Sequence, residues 1–336
     1  MASLLALGPL GLDAQQVIAR GAPAREVELL DLAVPVAVVS PLGLDAALCA
    51  LRPALSAGAA RQISAAREDV CADDERDVHA SLWVPKATPL SESLATALRT
   101  RAELHQGMPP FNAPIAAWLH DHDVPPIQVP APIALAAVSA VHYEHGWQID
   151  ITAATARPPF VGRTRTTSPH YLGTSQAQTD NTAGCERTLL RTEGGGFVIL
   201  TDARRDVRAS AACVERPVTT IDPGPVSVLV PTLDLHSGSG LTAPLEHLGV
   251  ADLFNGGANP MPKLAPHAAF GLVLQSVALR LDEHGISVKA STVFAIKMSI
   301  PQRPRREIVF DHPFVMRVVD GHGGTVALAS IGDVGD

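Results

Sequence analysis

Hydrophobic positions come in short blocks along this chain, and the blocks change character near residue 133. Residues 1 to 33 are mostly helical in pattern, closed by Val27 to Leu32. Val34 to Ser40 is continuous and β-branched, which suits a buried strand ended by Pro41. Gly43 to Leu51 predicts a helix broken near Pro53. Val78 to Val84 alternates weakly and stops at Pro85. Leu90 to Leu104 predicts an amphipathic helix with Ser91 as its cap, and Asn112 caps another that carries Ile115, Trp118 and Leu119. Strands follow. Ile133 to Tyr143 is an apolar run too short to span a membrane and typical of a central strand. Thr188 to Thr192 and Phe197 to Thr201 flank Gly194-Gly195-Gly196 and read as a hairpin. Val226 to Val230 is a strand stopped by Pro231, and Leu241 to Leu248 is a short helix ending at Gly249. Leu272 to Leu281, Ile308 to Phe310, Val315 to Val319 and Val326 to Ala329 complete the strands. Helices come first and strands later, so the pattern predicts an α+β fold rather than a doubly wound α/β one.

The sharpest pattern lies at residues 272 to 297. Val273, Val277, Leu279 and Leu281 share one parity, with Ser276, Arg280 and Asp282 on the other. Asp282-Glu283-His284-Gly285 is a turn signal. Beyond it Ile286, Val288, Ala290, Thr292, Phe294 and Ile296 alternate with Ser287, Lys289, Ser291 and Lys297. Such alternation is what a half-buried strand requires. Yet the segment runs on into Met298-Ser299-Ile300-Pro301-Gln302-Arg303-Pro304, which reads as an exposed, protease-accessible loop. Strand chemistry therefore sits in what reads as a loop.

Composition narrows the partners. The chain has 336 residues, 46% hydrophobic and only 4% aromatic, so its core rests on aliphatic side chains. Lys plus Arg is 26 against 34 Asp plus Glu, and no dense basic stripe exists, which argues against nucleic acid. No window of about 20 apolar residues predicts a membrane span. Met1 to Leu12 is apolar but lacks a basic start, so no signal peptide is convincing and a cytoplasmic location is the plain expectation. Cys49, Cys71, Cys185 and Cys213 form no C-x-x-C pair; buried inert thiols are expected, with two disulfides if the protein is exported. His120, Asp121, His122 and Asp123, and His142 with His145, are weak metal-ligand candidates that would serve a hydrolase, and a solvated cluster is their commoner fate. No Gly-x-Ser-x-Gly, Walker loop or dinucleotide fingerprint is present.

Several blocks, in order, resemble the serpin family of serine protease inhibitors. Leu281-Asp282-Glu283-His284-Gly285 resembles the serpin hinge, and Phe310-Asp311-His312-Pro313-Phe314-Val315 the signature after the reactive loop. Val38-Val39-Ser40-Pro41-Leu42, Asn112 to His120 with Trp118, Val141 to Trp147, and Leu245 to Phe254 are similar to further family blocks. The resemblance is strongest over residues 34 to 332. It implies a single domain over residues 1 to 336, with three sheets, about eight or nine helices and a reactive loop at 283 to 307. It also implies an inhibitor rather than an enzyme, needing no cofactor and no metal. A protease attacks the loop, and the cut loop enters the central sheet as an extra strand and drags the protease along.

On this resemblance Glu283, Gly285, Ile286, Ser287, Val288, Lys289, Ala290, Ser291 and Thr292 form the hinge. Ile286, Val288, Ala290 and Thr292 would face the core after insertion, and Ser287, Lys289 and Ser291 would face out. Met298-Ser299-Ile300-Pro301 is similar to reactive centres of the alpha-1-antitrypsin type, which puts the reactive bond at Met298–Ser299, with Lys297–Met298 as the alternative. The first suits subtilisin-, elastase- or chymotrypsin-like serine proteases, the second a trypsin-like one. The sheet-opening region would hold Ser40, Gln275 and Trp147; Gly43 and Ser139 or Ala140 stand where the family has polar residues. A monomer, in an extracellular setting, is the family expectation. Lys289, the bulk of Ile286 and the altered opening region motivate the alternative, a non-inhibitory binding or scaffold protein whose loop is cut without trapping.

Overall fold

The structure is a computed structural model and describes residues 26–66, 77–124, 126–127, 135–182, 184–216, 218, 221–222, 224–264, 269–270, 273–288 and 306–335. In chain order the strands are β1 Val36–Val39, β2 Val78–Pro85, β3 Glu103–Gly107, β4 Ala136–Val141, β5 Tyr143–Gly146, β6 Thr152–Ala153, β7 Phe160–Val161, β8 Thr166–Thr167, β9 Tyr171–Thr182, β10 Cys185–Arg191, β11 Phe197–Asp202, β12 Val226–Pro231, β13 Leu233–Gly240, β14 Leu274–Asp282, β15 Gly285–Val288, β16 Glu307–Val309, β17 Phe314–Val319 and β18 Thr325–Ile331. The α-helices among the described residues are α1 Pro41–Leu51, α2 Ala57–Ala66, α3 Glu92–Arg99, α4 Asn112–Asp121, α5 Val207–Glu215 and α6 Thr242–Leu245. That is fewer than the eight or nine expected, while the α+β class holds.

The largest sheet runs β1-β18-β17-β11-β10-β9-β12-β16, with β6 beside β9. Every residue of β17 and of β18 is buried, because this sheet is covered on both faces. On one face Leu189, Phe197, Ile199, Val315 and Leu328 meet Leu44, Leu48 and Leu51 of α1. On the other, Leu190, Val198, Met316 and Ala327 meet Val277, Leu279 and Leu281 of β14. That second layer is a four-stranded sheet, β13-β14-β15-β5, beside a three-stranded one, β3-β2-β4. Only His142 separates β4 from β5, so one run of chain borders both small sheets.

Local chemistry explains most element ends. Pro41 opens α1 at a position that needs no N–H, and the Ser40 hydroxyl accepts from the Gly43 N–H at 3.2 Å. Ser91 caps α3 as expected, accepting from Leu94 N at 3.3 Å. The helix stops at Arg99 rather than Leu104, because Glu103–Gly107 leaves to pair in parallel with β2. Asn112 is the first residue of α4 and not its cap; Phe111 holds the cap position without a side-chain bond. Ile115, Trp118 and Leu119 do bury, against Trp83, Val138 and Ala140. The glycine hairpin forms between β10 and β11, with Gly194 and Gly195 at positive φ, 70° and 81°. Residues 1 to 25 and Cys71 lie outside the described residues.

The cysteine expectation needs correction. Cys185 and Cys213 form a disulfide, Cα–Cα 5.7 Å, that ties β10 to α5, and Cys49 is disulfide-bonded as well. Beside this crosslink lies a fully buried ion pair. Arg187 stands directly opposite Asp180 on β9; its Nε donates to Oδ2 at 2.8 Å and its NH2 donates to the same oxygen. Its remaining nitrogen donates to the carbonyls of Cys213, at 3.3 Å, and of Arg216. The guanidinium thus gathers a carboxylate and two carbonyls at the end of α5.

Candidate functional site

The β14–turn–β15 hairpin builds the site. The Asp282 carboxylate accepts from His284 N at 2.8 Å, closing the turn and leaving Glu283 and His284 exposed. The chain then returns as a strand wedged between two others. Arg280, Leu281 and Asp282 pair with Ser287, Ile286 and Gly285, while Gly146, His145, Glu144 and Tyr143 pair with Gly285, Ile286, Ser287 and Val288, all antiparallel. Gly285 is where the approach is tightest: a Cβ there would sit 2.2 Å from the His145 carbonyl oxygen. Ile286 is completely buried between Leu281 and His145. Ser287, expected to face outward, is only 9% exposed, because strands flank it on both sides. Its hydroxyl makes no hydrogen bond among the described residues.

Below this wedge the described residues lie on two separate sheets. β4 pairs only with β2, and β14 beyond Arg280 pairs only with β13, so among the described residues the facing edges of β4 and β14 have no strand between them. Lys289, Ala290, Ser291, Thr292, Lys297, Met298 and Ser299 lie outside the described residues. The chain reappears at Arg306, whose guanidinium makes a two-toothed contact with Glu186, and at β16, which runs parallel to β12.

Two polar groups guard the opening. At its foot the Gln275 amide clamps the backbone of Ser40: Ser40 N donates to Oε1 at 2.7 Å and Nε2 donates to Ser40 O at 2.8 Å. Ser139 of β4 donates to the Gly43 carbonyl at 2.6 Å. These bonds tie both edges of the gap to the start of α1. Replacing Gln275 by Leu strands the Ser40 N–H and should cost about 1–3 kcal/mol; a urea midpoint unchanged from the parent would contradict this. At the head, Trp147 donates through Nε1 to the Asp282 carbonyl at 2.8 Å and bridges to Thr192.

The head contains groups that sequence reasoning passed over. The Tyr143 hydroxyl meets Thr192 Oγ1 at 3.2 Å, and burial, offset in part by that bond, pushes its pKa up to about 12. His145 packs on Tyr143 at 4.5 Å between ring centres, the two rings tilted by 54°. Burial holds its pKa below the ordinary histidine value, although Glu193, Asp320 and Glu144 all pull the other way. Alternation along β5 was the available signal, since it puts Tyr143, His145 and Trp147 on one face. The metal reading fails: among the described residues no group of three His, Cys, Asp or Glu is arranged to hold an ion. His122 instead lies against Trp118 at 4.1 Å and contacts its carbonyl oxygen at 2.8 Å.

The comparisons agree with this geometry. Residues 212–333 match the family model described as Serpin (serine protease inhibitor). The whole architecture superposes on solved serpins. Serpin48 of the insect Tenebrio molitor gives a TM-score of 0.74 at 13% identity, covering 97% of this chain and 100% of that one. The chain has the serpin fold. A serpin of the trematode Schistosoma haematobium gives a TM-score of 0.71 at 13% identity over 96% and 100% of the two chains. Thyroxine-binding globulin in complex with thyroxine gives 0.73 at 13% over 96% and 99%. No curated protein matches by sequence. Serpins are generally protease inhibitors rather than enzymes, and the fold also hosts a thyroxine binder.

Proposed function

We propose that this serpin inhibits a serine-type endopeptidase as a suicide substrate. The observation that carries the reading is β15: the first four residues after the turn already pair as a strand between β14 and β5. Continuing its register supports the rest. On insertion in that register Ala290 would come opposite Val277 and Val141, and Thr292 opposite Gln275 and Ser139, with the parity of Ile286. Lys289 falls between Ala278 and His142, on the other face. A small or apolar side chain thus meets the core at each inward step, and no charge is buried.

The reaction would begin as ordinary acyl transfer. The protease serine attacks the carbonyl of the residue before the scissile bond, the new amino terminus leaves, and the protease stays esterified to the loop. Freed at that end, the loop adds hydrogen bonds to both unpaired edges, which drives it down the slot with the protease attached. Met298–Ser299 is the proposed bond, for a subtilisin-, elastase- or chymotrypsin-like enzyme, with Lys297–Met298 for a trypsin-like one. The Gln275 clamp favours the second reading, a binding or scaffold serpin that is cut without trapping, because it ties β14 to the start of α1 and resists movement of that strand.

Incubation with each of the four protease types, followed by denaturing gels and intact mass, tests the proposal. A covalent adduct together with a carboxy-terminal fragment beginning at Ser299 is the expected result. Clean cleavage with full recovery of protease activity, and no rise in melting temperature of the cut serpin, would leave the scaffold reading in its place.

A further inference from the structure

The hinge meets an imidazole on the face it buries. Ile286 is paired with His145, and successive members of that row, Leu281, Ile286 and His145, share one face of the sheet. Seating the hinge therefore lays an apolar side chain beside the ring and takes water from it. We propose that His145 is a proton-operated release for the hinge: Gly285–Val288 stays seated while the imidazole is neutral and leaves the sheet when the ring is protonated.

The charges around the ring have been placed on each side. Its own strand offers Tyr143, with ring centres 4.5 Å apart, and Glu144. The β10–β11 turn offers Glu193, and the residue after β17, Asp320, completes the set. A Cβ on Gly194 would lie 2.8 Å from His145 Cε1, so that turn packs directly on the ring. The hinge residue directly opposite the ring is Ile286, which carries no charge. Arg280 and Asp282 pair with each other at 2.7 Å and belong to the opposite parity. Three carboxylates favour the imidazolium, yet burial outweighs them and the pKa lies below 6.5. Withdrawing the hinge removes part of that burial and none of the carboxylates. The ring is thus a stronger base with the hinge out. A group that binds its proton better in one state pulls the equilibrium toward that state as pH falls. Release therefore grows as pH drops through the ordinary histidine range, by no more than about tenfold per pH unit because one proton is taken up per hinge. It levels off below the pKa of the seated state.

The proposal rests on reading Gly285–Val288 as the hinge, but its test needs no protease, so it stands or falls apart from the trapping reaction. Hydrogen exchange of the intact serpin is followed by mass spectrometry from pH 8 to pH 5, corrected for intrinsic rates. Peptides from β17 and β18 serve as internal references. In the parent, protection of residues 286 to 288 should fall as pH drops through the histidine range, by no more than about tenfold per unit, with the reference strands unchanged. His145→Gln should keep the hinge protected throughout. Glu193→Gln, which takes away one carboxylate favouring the imidazolium, should move the loss to lower pH. Hinge protection that follows the references in the parent would overturn the proposal, as would a loss retained in His145→Gln. Should His145→Gln prove unprotected even in the reference strands at pH 8, Glu193→Gln decides alone, and an unmoved transition overturns it.

Discussion

Arg187→Met will unfold far more easily than the parent, by about 3–5 kcal/mol, because it takes the facing guanidinium from Asp180, a carboxylate sealed in the interior. Both members of the pair are wholly inaccessible, so water offers the carboxylate no relief. The loss is compounded at the end of α5, where the carbonyls of Cys213 and Arg216 lose their shared donor. The double variant Arg187→Met with Asp180→Leu separates the two contributions. It removes the stranded charge and should recover most of the deficit, since an apolar replacement of a buried pair is often neutral. Denaturation midpoints at one fixed scan rate, for parent, single and double variants, check this. A single variant within about 1 kcal/mol of the parent, the size of a typical surface change, would mean that the pair is solvated after all.

Gly285→Val should empty the hinge position without touching the fold beneath. The added carbon would meet backbone on both nearest approaches, the His145 carbonyl oxygen at 2.2 Å and Gly146 Cα at 3.0 Å. Backbone inside a sheet has nowhere to move, so β15 gives way instead. Ile286 then returns to solvent, at about 1.5–3 kcal/mol for the side chain. Each backbone hydrogen bond lost adds about 0.5–1.5 kcal/mol. Exchange protection of residues 286 to 288 should vanish at every pH, unlike the graded loss in the parent. With the first insertion step blocked, protease should cut the loop and leave, so the yield of covalent adduct should fall to near nothing. A variant that traps as well as the parent would show that insertion does not start from a seated hinge.

Much of this arrangement was readable in the chain, and the failures have physical causes. The alternation on both sides of Asp282-Glu283-His284-Gly285 predicted a strand, a turn and a second strand, and β14 and β15 occupy those places. Apolar patterning also located β1, α1, β2 and the hairpin of β10 and β11. It missed β9, Tyr171–Thr182, whose sequence after Leu172 is almost wholly small or polar. That strand is held by neighbours on both edges, β10 and β12, and needs little hydrophobic pattern of its own. β13, Leu233–Gly240, escaped for a similar reason: its Ser and Gly tail carries no signal, yet β14 pairs with it for eight residues. Leu104 was assigned to a helix because a single apolar residue fits either period, and only the parallel ladder with β2 decides. At the site, the resemblance put Gln275 in the sheet-opening region, but its partner is the main chain of Ser40, a contact 235 positions away that no local pattern encodes. The disulfide was hidden likewise, since spacing alone does not bring Cys185 to Cys213.

The position of the loop relative to the crosslink has a consequence for reversibility. Cys49, Cys185 and Cys213 all precede the loop, whereas β16, β17 and β18 follow it. A cut between Val288 and Arg306 therefore yields two polypeptides with no covalent tie between them. They remain together only because β17 and β18 are interior strands of the largest sheet. Under native conditions the product should behave as a single particle of unchanged mass. Once taken apart in denaturant, however, its recovery becomes a bimolecular reaction, second order in concentration, where the intact chain refolds in a first-order step. Cleavage thus changes the molecularity of folding itself.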